Sequence, residues 1–208
     1  MTIIDKIDLS VKTLFRTAKN SVILRFKKNL KLNLGAGGTR IGEYVNVDSL
    51  FMRETDLLCK LSHLPYFVSK NSVSHIYISH VFEHFTIKDV KIILKMSYDL
   101  LQEGGEIRIS VPDFDKIISL YITHKEEFLQ KDPIYLLGVI FGGQSTRYDF
   151  HKTGFNAYWL KQYLEEAGFK NIQEYDAEIF LQQFGVQDSS LYKKGFGEYI
   201  SLNMIANK

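Results

Sequence analysis

Two glycines and one acid are the first residues whose types and spacing point to chemistry. Leu32-Asn33-Leu34-Gly35-Ala36-Gly37 is followed by Val45-Asn46-Val47-Asp48. Glycines after an apolar strand let backbone approach a ligand closely, and the free N–H groups of such a turn can hold polar atoms. An acid ending the next strand can accept both hydroxyls of a ribose. Together they read as a nucleoside-binding site. The dinucleotide fingerprint needs a third glycine at position 40, where Arg40 stands. A P-loop needs Lys after Gly42, where Glu43 stands. A pyrophosphate ligand is therefore disfavoured.

A second constellation is His80-Val81-Phe82-Glu83-His84, which spells H-x-x-E-H. In zinc hydrolases this pattern lies on a helix, with two histidines on the metal and the glutamate as base. Here His80 leaves an apolar strand, so the two rings need not face together. A zinc hydrolase built on His80 and His84 is kept as an alternative. The third place is residues 142–155, Gly-rich and polar, with Arg147, Tyr148, Asp149 and His151. Such a loop is too polar for core and suits a mobile lid over a polar substrate. Arg147 can pair with a phosphate or carboxylate, and His151 titrates near neutrality as a general base should.

The elements that position these groups follow from pattern. Strands are predicted at Lys31–Leu34, Tyr44–Asp48, Ser74–Ser79 and Glu106–Val111, with late strands near Asn171–Tyr175 and Glu198–Ile205. Helices are predicted at 8–26, Thr86–Gln102, Asp113–Tyr121, Asp132–Ile140 and Asn156–Ala167. Thr86 with Asp89 and Asn156 mark N-termini, while Gly104-Gly105 and Gly168 mark ends. Tyr158 and Trp159 are expected in the core. In helix 8–26, Val11, Leu14, Ala18 and Val22 share a face. That face is expected to pack on the core or a partner chain; the alternative is an interfacial membrane helix. Strands alternating with helices make an α/β fold with a mostly parallel sheet, its ligand at the carboxyl ends of the strands.

LNLGAG, VNVD, ISHVFEHF and LLQEGGEIRISVPDFDK, in that order, resemble the class I S-adenosylmethionine-dependent methyltransferases. HKTGFNAYWLKQYLEEAGFKNI resembles the end of the same domain. The closest likeness is to small bacterial enzymes often associated with surface-polysaccharide synthesis. The resemblance implies a Rossmann-like seven-stranded sheet with a terminal antiparallel hairpin. It implies a methyltransferase domain over 29–208, preceded by a basic amphipathic extension over 1–28. It implies S-adenosyl-L-methionine as cofactor, with Gly35, Ala36 and Gly37 against its methionine moiety. Asp48 would bind its ribose, Asp56 and Leu57 would lie near the adenine after a short edge strand, and Ser79 and His80 would end the fourth strand beside it. His151, His80 and Asp113 are the candidate catalytic residues, and Arg147, Tyr148 and His151 the candidate acceptor contacts. Glu83 and His84 would orient the loop by hydrogen bonds. No metal is required. Only Gly38 to Tyr44 separate the glycine turn from the second strand, so the first crossover helix is expected to shrink to a short turn. A non-catalytic nucleoside-binding relative of the same fold is the other alternative.

Composition limits the partners. The chain has 208 residues, 45% hydrophobic and 24% charged, with a net charge of +2. One cysteine, Cys59, excludes an internal disulfide and a cysteine-rich zinc site. Residues 1–31 hold eight Lys or Arg against Asp5 and Asp8, a surplus of six, so the remainder carries four net negative charges. A basic leader on an acidic body does not read as a nucleic-acid domain. The expected partner is a small-molecule acceptor. Peripheral membrane contact through 8–26 and a homodimer are further expectations. With no signal-peptide pattern, the expected location is cytoplasmic, with contact at the inner membrane face.

Overall fold

The computed structural model describes residues 3–131, 138–191 and 199–208. Its strands are β1 (Leu30–Leu34), β2 (Val45–Asp48), β3 (Leu57–Leu58), β4 (Val73–Ser79), β5 (Leu101–Pro112), β6 (Lys170–Glu174) and β7 (Ser201–Asn207). They form one seven-stranded sheet in the order β3-β2-β1-β4-β5-β7-β6. The pairs among β1 to β5 are parallel, and β7 runs antiparallel to both β5 and β6. This is the Rossmann-like α/β architecture expected for class I methyltransferases. The terminal antiparallel pair is not a tight hairpin, because residues 175–200 intervene. Leu32, Leu34, Ile76, Ile78, Ile107, Ile109 and Val111 are all buried, as central strands covered on both faces require.

Helices are α1 (Ile3–Ile23), α2 (Ile87–Leu100), α3 (Phe114–Thr123), α4 (Lys125–Lys131), α5 (Ala157–Ala167) and α6 (Ala177–Gln182). Thr86 caps α2 and Asn156 caps α5, each accepting the N–H three residues on, and Gly168 closes α5 in a left-handed conformation. The predicted helix Asp132–Ile140 lies outside the described residues at 132–137; residues 138–141 are helical. Glu198, predicted to start the last strand, also lies outside them. Helix α2 ends at Leu100 and feeds straight into β5. Gly104-Gly105 therefore do not end the helix; they sit in a bulge of β5, where the register jumps from Val73–Leu101 to His75–Glu106.

Two expectations about faces are reversed. Helix α1 does not bury Val11, Leu14, Ala18 and Val22, which are exposed. It docks on the edge strand through Thr13, Arg16, Thr17 and Asn20, a stripe at i, i+3, i+4 and i+7. Thr17 Oγ1 accepts the Leu58 N–H at 2.8 Å, Asn20 donates to the Asp56 carbonyl at 2.9 Å, and Arg16 to the Arg53 carbonyl at 2.6 Å. A short edge strand leaves backbone groups unpaired, and this polar stripe satisfies them. In α5 the buried positions are Leu160, Leu164 and Ala167, which leaves Tyr158 68% and Trp159 44% exposed rather than in the core.

Between β1 and β2 the helix is absent altogether: residues 35–44 are turns and irregular backbone. Ile41 and Tyr44 from this connection are buried with Tyr77, Phe180 and Leu181. Thus α6, from far along the chain, packs on this connection and on Tyr77 of β4. Arg40 pins the connection, reaching Glu54 Oε2 and Asp56 Oδ1, each at 2.8 Å.

Candidate functional site

The register places the nucleoside candidates in one row. Leu34 pairs with Val47 on one side and Ile78 on the other, and Ser79 pairs with Ser110. The next step along the chain brings Asp48, Gly35 and Ser79 to the same level, at the carboxyl edge where such sheets bind ligands. Gly35 has φ +69°, and a Cβ there would lie 2.4 Å from Val81 Cγ2, so the turn after β4 packs directly on it. Gly37 has φ +54° and nothing within 4 Å of where its Cβ would lie, nor has Gly38 at its own position. Bare backbone thus faces open space.

Asp48 is only 7% exposed. Its Oδ2 accepts the Gly37 N–H and its Oδ1 the Leu50 N–H, both at 2.8 Å. A carboxylate has about four lone-pair sites, so capacity remains for hydroxyl donors. Ser79 Oγ is buried without a hydrogen-bond partner among the described residues. An orphaned hydroxyl, an open glycine cradle and an acceptor carboxylate at one level suit a nucleoside with a polar tail. The donor set therefore fits S-adenosylmethionine.

Other expected contacts fall elsewhere. Asp56 precedes β3 instead of following it. Its carboxylate binds Arg40 and the Asn46 N–H (3.0 Å), so it fastens the β1–β2 connection. Leu57 is fully buried within β3. Position Leu58, not Asp56, is level with Asp48. Asp113 is a candidate catalytic residue from the sequence. Its Oδ1 caps α3, accepting the N–H groups of Asp115 and Lys116, and Oδ2 lies 3.5 Å from Lys116 Nζ. These contacts give it a structural task.

His80 has φ +52°, its Nε2 lies 2.9 Å from Ser201 Oγ, and its Nδ1 lies 3.2 Å from Glu83 Oε1. The H-x-x-E-H segment is not an α-helix; Phe82–His84 is a single 3-10 turn. His80 and His84 are therefore not stacked as in a zinc hydrolase. The structure instead brings His84 against His151, ring centroids 4.9 Å apart at 77°.

The loop after residue 141 is anchored at its base. His151 N–H donates to Phe141 O, and the Lys152 and Thr153 N–H groups donate to Glu83 O at 2.7 and 3.3 Å. Thr153 Oγ1 donates to Phe85 O. The free lid expected from composition is thus a pinned loop with a projecting tip. At that tip Arg147 stacks on Tyr148 at 4.7 Å, both exposed. His151 is half-buried and lines a cavity of about 190 Å³ with Glu83, Pro112, Phe114, Val139 and Thr153. Burial pushes its imidazole below the usual histidine range, against the opposing pull of Glu83. Sequence reasoning missed Lys152 and Thr153, whose backbone contacts bring His151 to Glu83; no local pattern signals that contact.

No protein-family model and no curated protein sequence matches the chain. Solved structures do resemble it. A SAM-dependent methyltransferase from Archaeoglobus fulgidus is 18% identical, with 94% of this chain and 93% of that one covered and a TM-score of 0.53. The 1,6-didemethyltoxoflavin-N1-methyltransferase of Burkholderia thailandensis, solved with 1,6-didemethyltoxoflavin and S-adenosylhomocysteine, is 15% identical. There 98% of this chain and 82% of that one are covered, with a TM-score of 0.51. At these identities the likeness establishes the fold.

Proposed function

We propose that this chain transfers a methyl group from S-adenosyl-L-methionine to an oxygen or nitrogen of a polar small molecule. The acceptor class we favour is a sugar, nucleotide-sugar or phosphorylated metabolite of surface-polysaccharide synthesis. The observation that carries the reading is the single row of Asp48, Gly35 and Ser79 beside the open backbone of Gly37 and Gly38. When bound, the cofactor supplies an electrophilic methyl group on sulfur, so the chemistry needs alignment more than activation.

The chain's own residues divide the work. Asp48 accepts the ribose hydroxyls while holding the glycine turn shut. Gly37 and Gly38 leave space for the methionine portion, and Ser79 Oγ offers a buried polar contact. The cavity walled by Pro112, Phe114 and Thr153 takes the acceptor and keeps water out. We assign His151, on its wall, to receive the acceptor's proton, because its Nδ1 faces the Val139 carbonyl and the lone pair is left on Nε2. Arg147 and Tyr148 at the loop tip suit an anionic or sugar-bearing acceptor.

Helix α1 adds a location. No helix among the described residues is long and apolar enough to cross a membrane. Yet Val11, Leu14, Phe15, Val22 and Phe26 are exposed alongside Lys12, Lys19 and Arg25, which suits an anionic lipid surface. Sedimentation with anionic vesicles at low salt tests this; protein left in the supernatant refutes it. The catalytic reading is tested by S-adenosylhomocysteine release. Formation on addition of one member of a panel of sugars, nucleotide-sugars and phosphorylated metabolites supports it. Cofactor binding without turnover across the panel goes against this acceptor class.

A further inference from the structure

We propose that Glu83, His84 and His151 form a site for one divalent first-row transition cation, opening onto the cavity beside β5. One ligating atom from each lies within 4.8 Å of the other two. Two histidines and one carboxylate are the donor set of catalytic zinc and of several other divalent metals.

The proton positions favour coordination. His151 Nδ1 lies 2.9 Å from the Val139 carbonyl, and His84 Nδ1 lies 3.3 Å from the Phe150 carbonyl. A carbonyl only accepts, so each Nδ1 carries the hydrogen and each Nε2 keeps a bare lone pair. A backbone carbonyl holding the far nitrogen is the usual outer support of a metal-binding imidazole.

The carboxylate supplies an independent sign. Glu83 is 1% exposed, and neither side-chain oxygen has a hydrogen-bond partner among the described residues. His80 Nδ1 approaches Oε1 to 3.2 Å but not in hydrogen-bond alignment. A buried carboxylate left this way is costly unless a cation meets it. Glu83 holds the loop by hydrogen bonds through its backbone carbonyl, which receives the Lys152 and Thr153 N–H groups, so its side chain is left for another task. Those same bonds bring His151 back to a turn far away in sequence, so the donors are held in place beforehand.

Three protein donors leave coordination positions open, and Glu83 and His151 both line the cavity. A closed structural site would have a fourth donor. The site therefore suits a cation that grips an acceptor through a hydroxyl or carboxylate oxygen. This part rests on the methyl-transfer reading and refines it, since His151 would then serve as ligand and not as base.

The test is titration of chelator-stripped protein with zinc sulfate against a chromophoric chelator, with cobalt(II) absorption as a second readout. One equivalent of zinc per chain is expected. Losing an outer support typically costs about 10–100-fold, so His84→Ala and His151→Ala should each weaken binding by more than about 100-fold. Glu83→Gln should do the same, and His63→Ala, on the surface, should change nothing. Circular dichroism checks folding; His84→Ala, the more exposed change, keeps the test valid if His151→Ala fails to fold. No saturable zinc binding, or unchanged affinity in His84→Ala, overturns the site and leaves the His80–Glu83 pair as the whole account. Titration of the same protein with S-adenosylhomocysteine reports separately on the nucleoside site.

Discussion

Asp48→Ala is the most informative single change, because the carboxylate has two tasks that can be measured apart. In the protein alone it accepts the Gly37 and Leu50 N–H groups, both at 2.8 Å. A hydrogen bond to a charged acceptor contributes about 1.5–3 kcal/mol. Leu50 is exposed and its N–H can rehydrate, so the combined loss should be nearer 2–3 kcal/mol than twice that range. For a chain of this size about 1 kcal/mol moves Tm by roughly 2–4 °C, which gives a fall of about 4–12 °C. In the complex the same carboxylate would accept the ribose hydroxyls. Its loss there should cost a further 2–4 kcal/mol, roughly 30- to 1,000-fold in Kd. Differential scanning fluorimetry measures the first effect. Isothermal titration with S-adenosylhomocysteine, below the variant's Tm, measures the second. A destabilised variant that binds S-adenosylhomocysteine like the parent would refute the reasoning, because Asp48 would then be a loop anchor alone.

The two glycines should respond oppositely. Gly35→Ala drives a Cβ to 2.4 Å from Val81 at φ +69°, so stability should fall by about 2–4 kcal/mol in chemical denaturation. Gly37→Ala meets no neighbour, so its stability cost should stay near 1–2 kcal/mol from φ +54° while ligand affinity falls sharply in the same titration. Burial pushes the Cys59 thiol up from 9.0 to about 11. The folded state then keeps a proton that the unfolded chain releases, so stability should decline from about pH 9 to pH 11, by roughly 2–3 kcal/mol. Cys59→Ala should flatten that slope in urea titrations up to about pH 10, above which Tyr44, Tyr77 and Tyr175, whose hydroxyls burial also pushes up, add a decline of their own. Thr17→Val removes the acceptor for the Leu58 N–H and should cost about 1–2 kcal/mol, with faster hydrogen exchange at Leu58 than elsewhere in the sheet.

Much of the fold was legible because the signals are local. Runs such as Ser74–Ser79 and Glu106–Val111 read as strands, and Thr86, Asn156 and Gly168 act as the caps their chemistry suggests. The failures share a cause: tertiary partners that leave no periodic trace. Helix α1 shows an apolar stripe that stays outside, since its contacts are with backbone groups of an edge strand, which hydropathy does not register. The cover over the β1–β2 connection and over Tyr77 of β4 comes from Phe180 and Leu181, far along the chain, so no pattern near residue 38 announced it. At the site, Gly35, Gly37 and Asp48 were readable as a strand-end pair. Asp56 and Asp113 were not, because an acid looks the same whether it meets a ligand, an arginine or a helix N-terminus. Glu83 and His151 meet only through backbone bonds of the folded loop.

The decisive measurement for the nucleoside site is a crystal structure of the chain with S-adenosylhomocysteine. Ribose oxygens are expected within hydrogen-bond distance of the Asp48 carboxylate, with the homocysteine portion along Gly37 and Gly38 and Ser79 Oγ newly partnered. A ligand bound away from this row, with Asp48 still holding only Gly37 and Leu50, would contradict that placement.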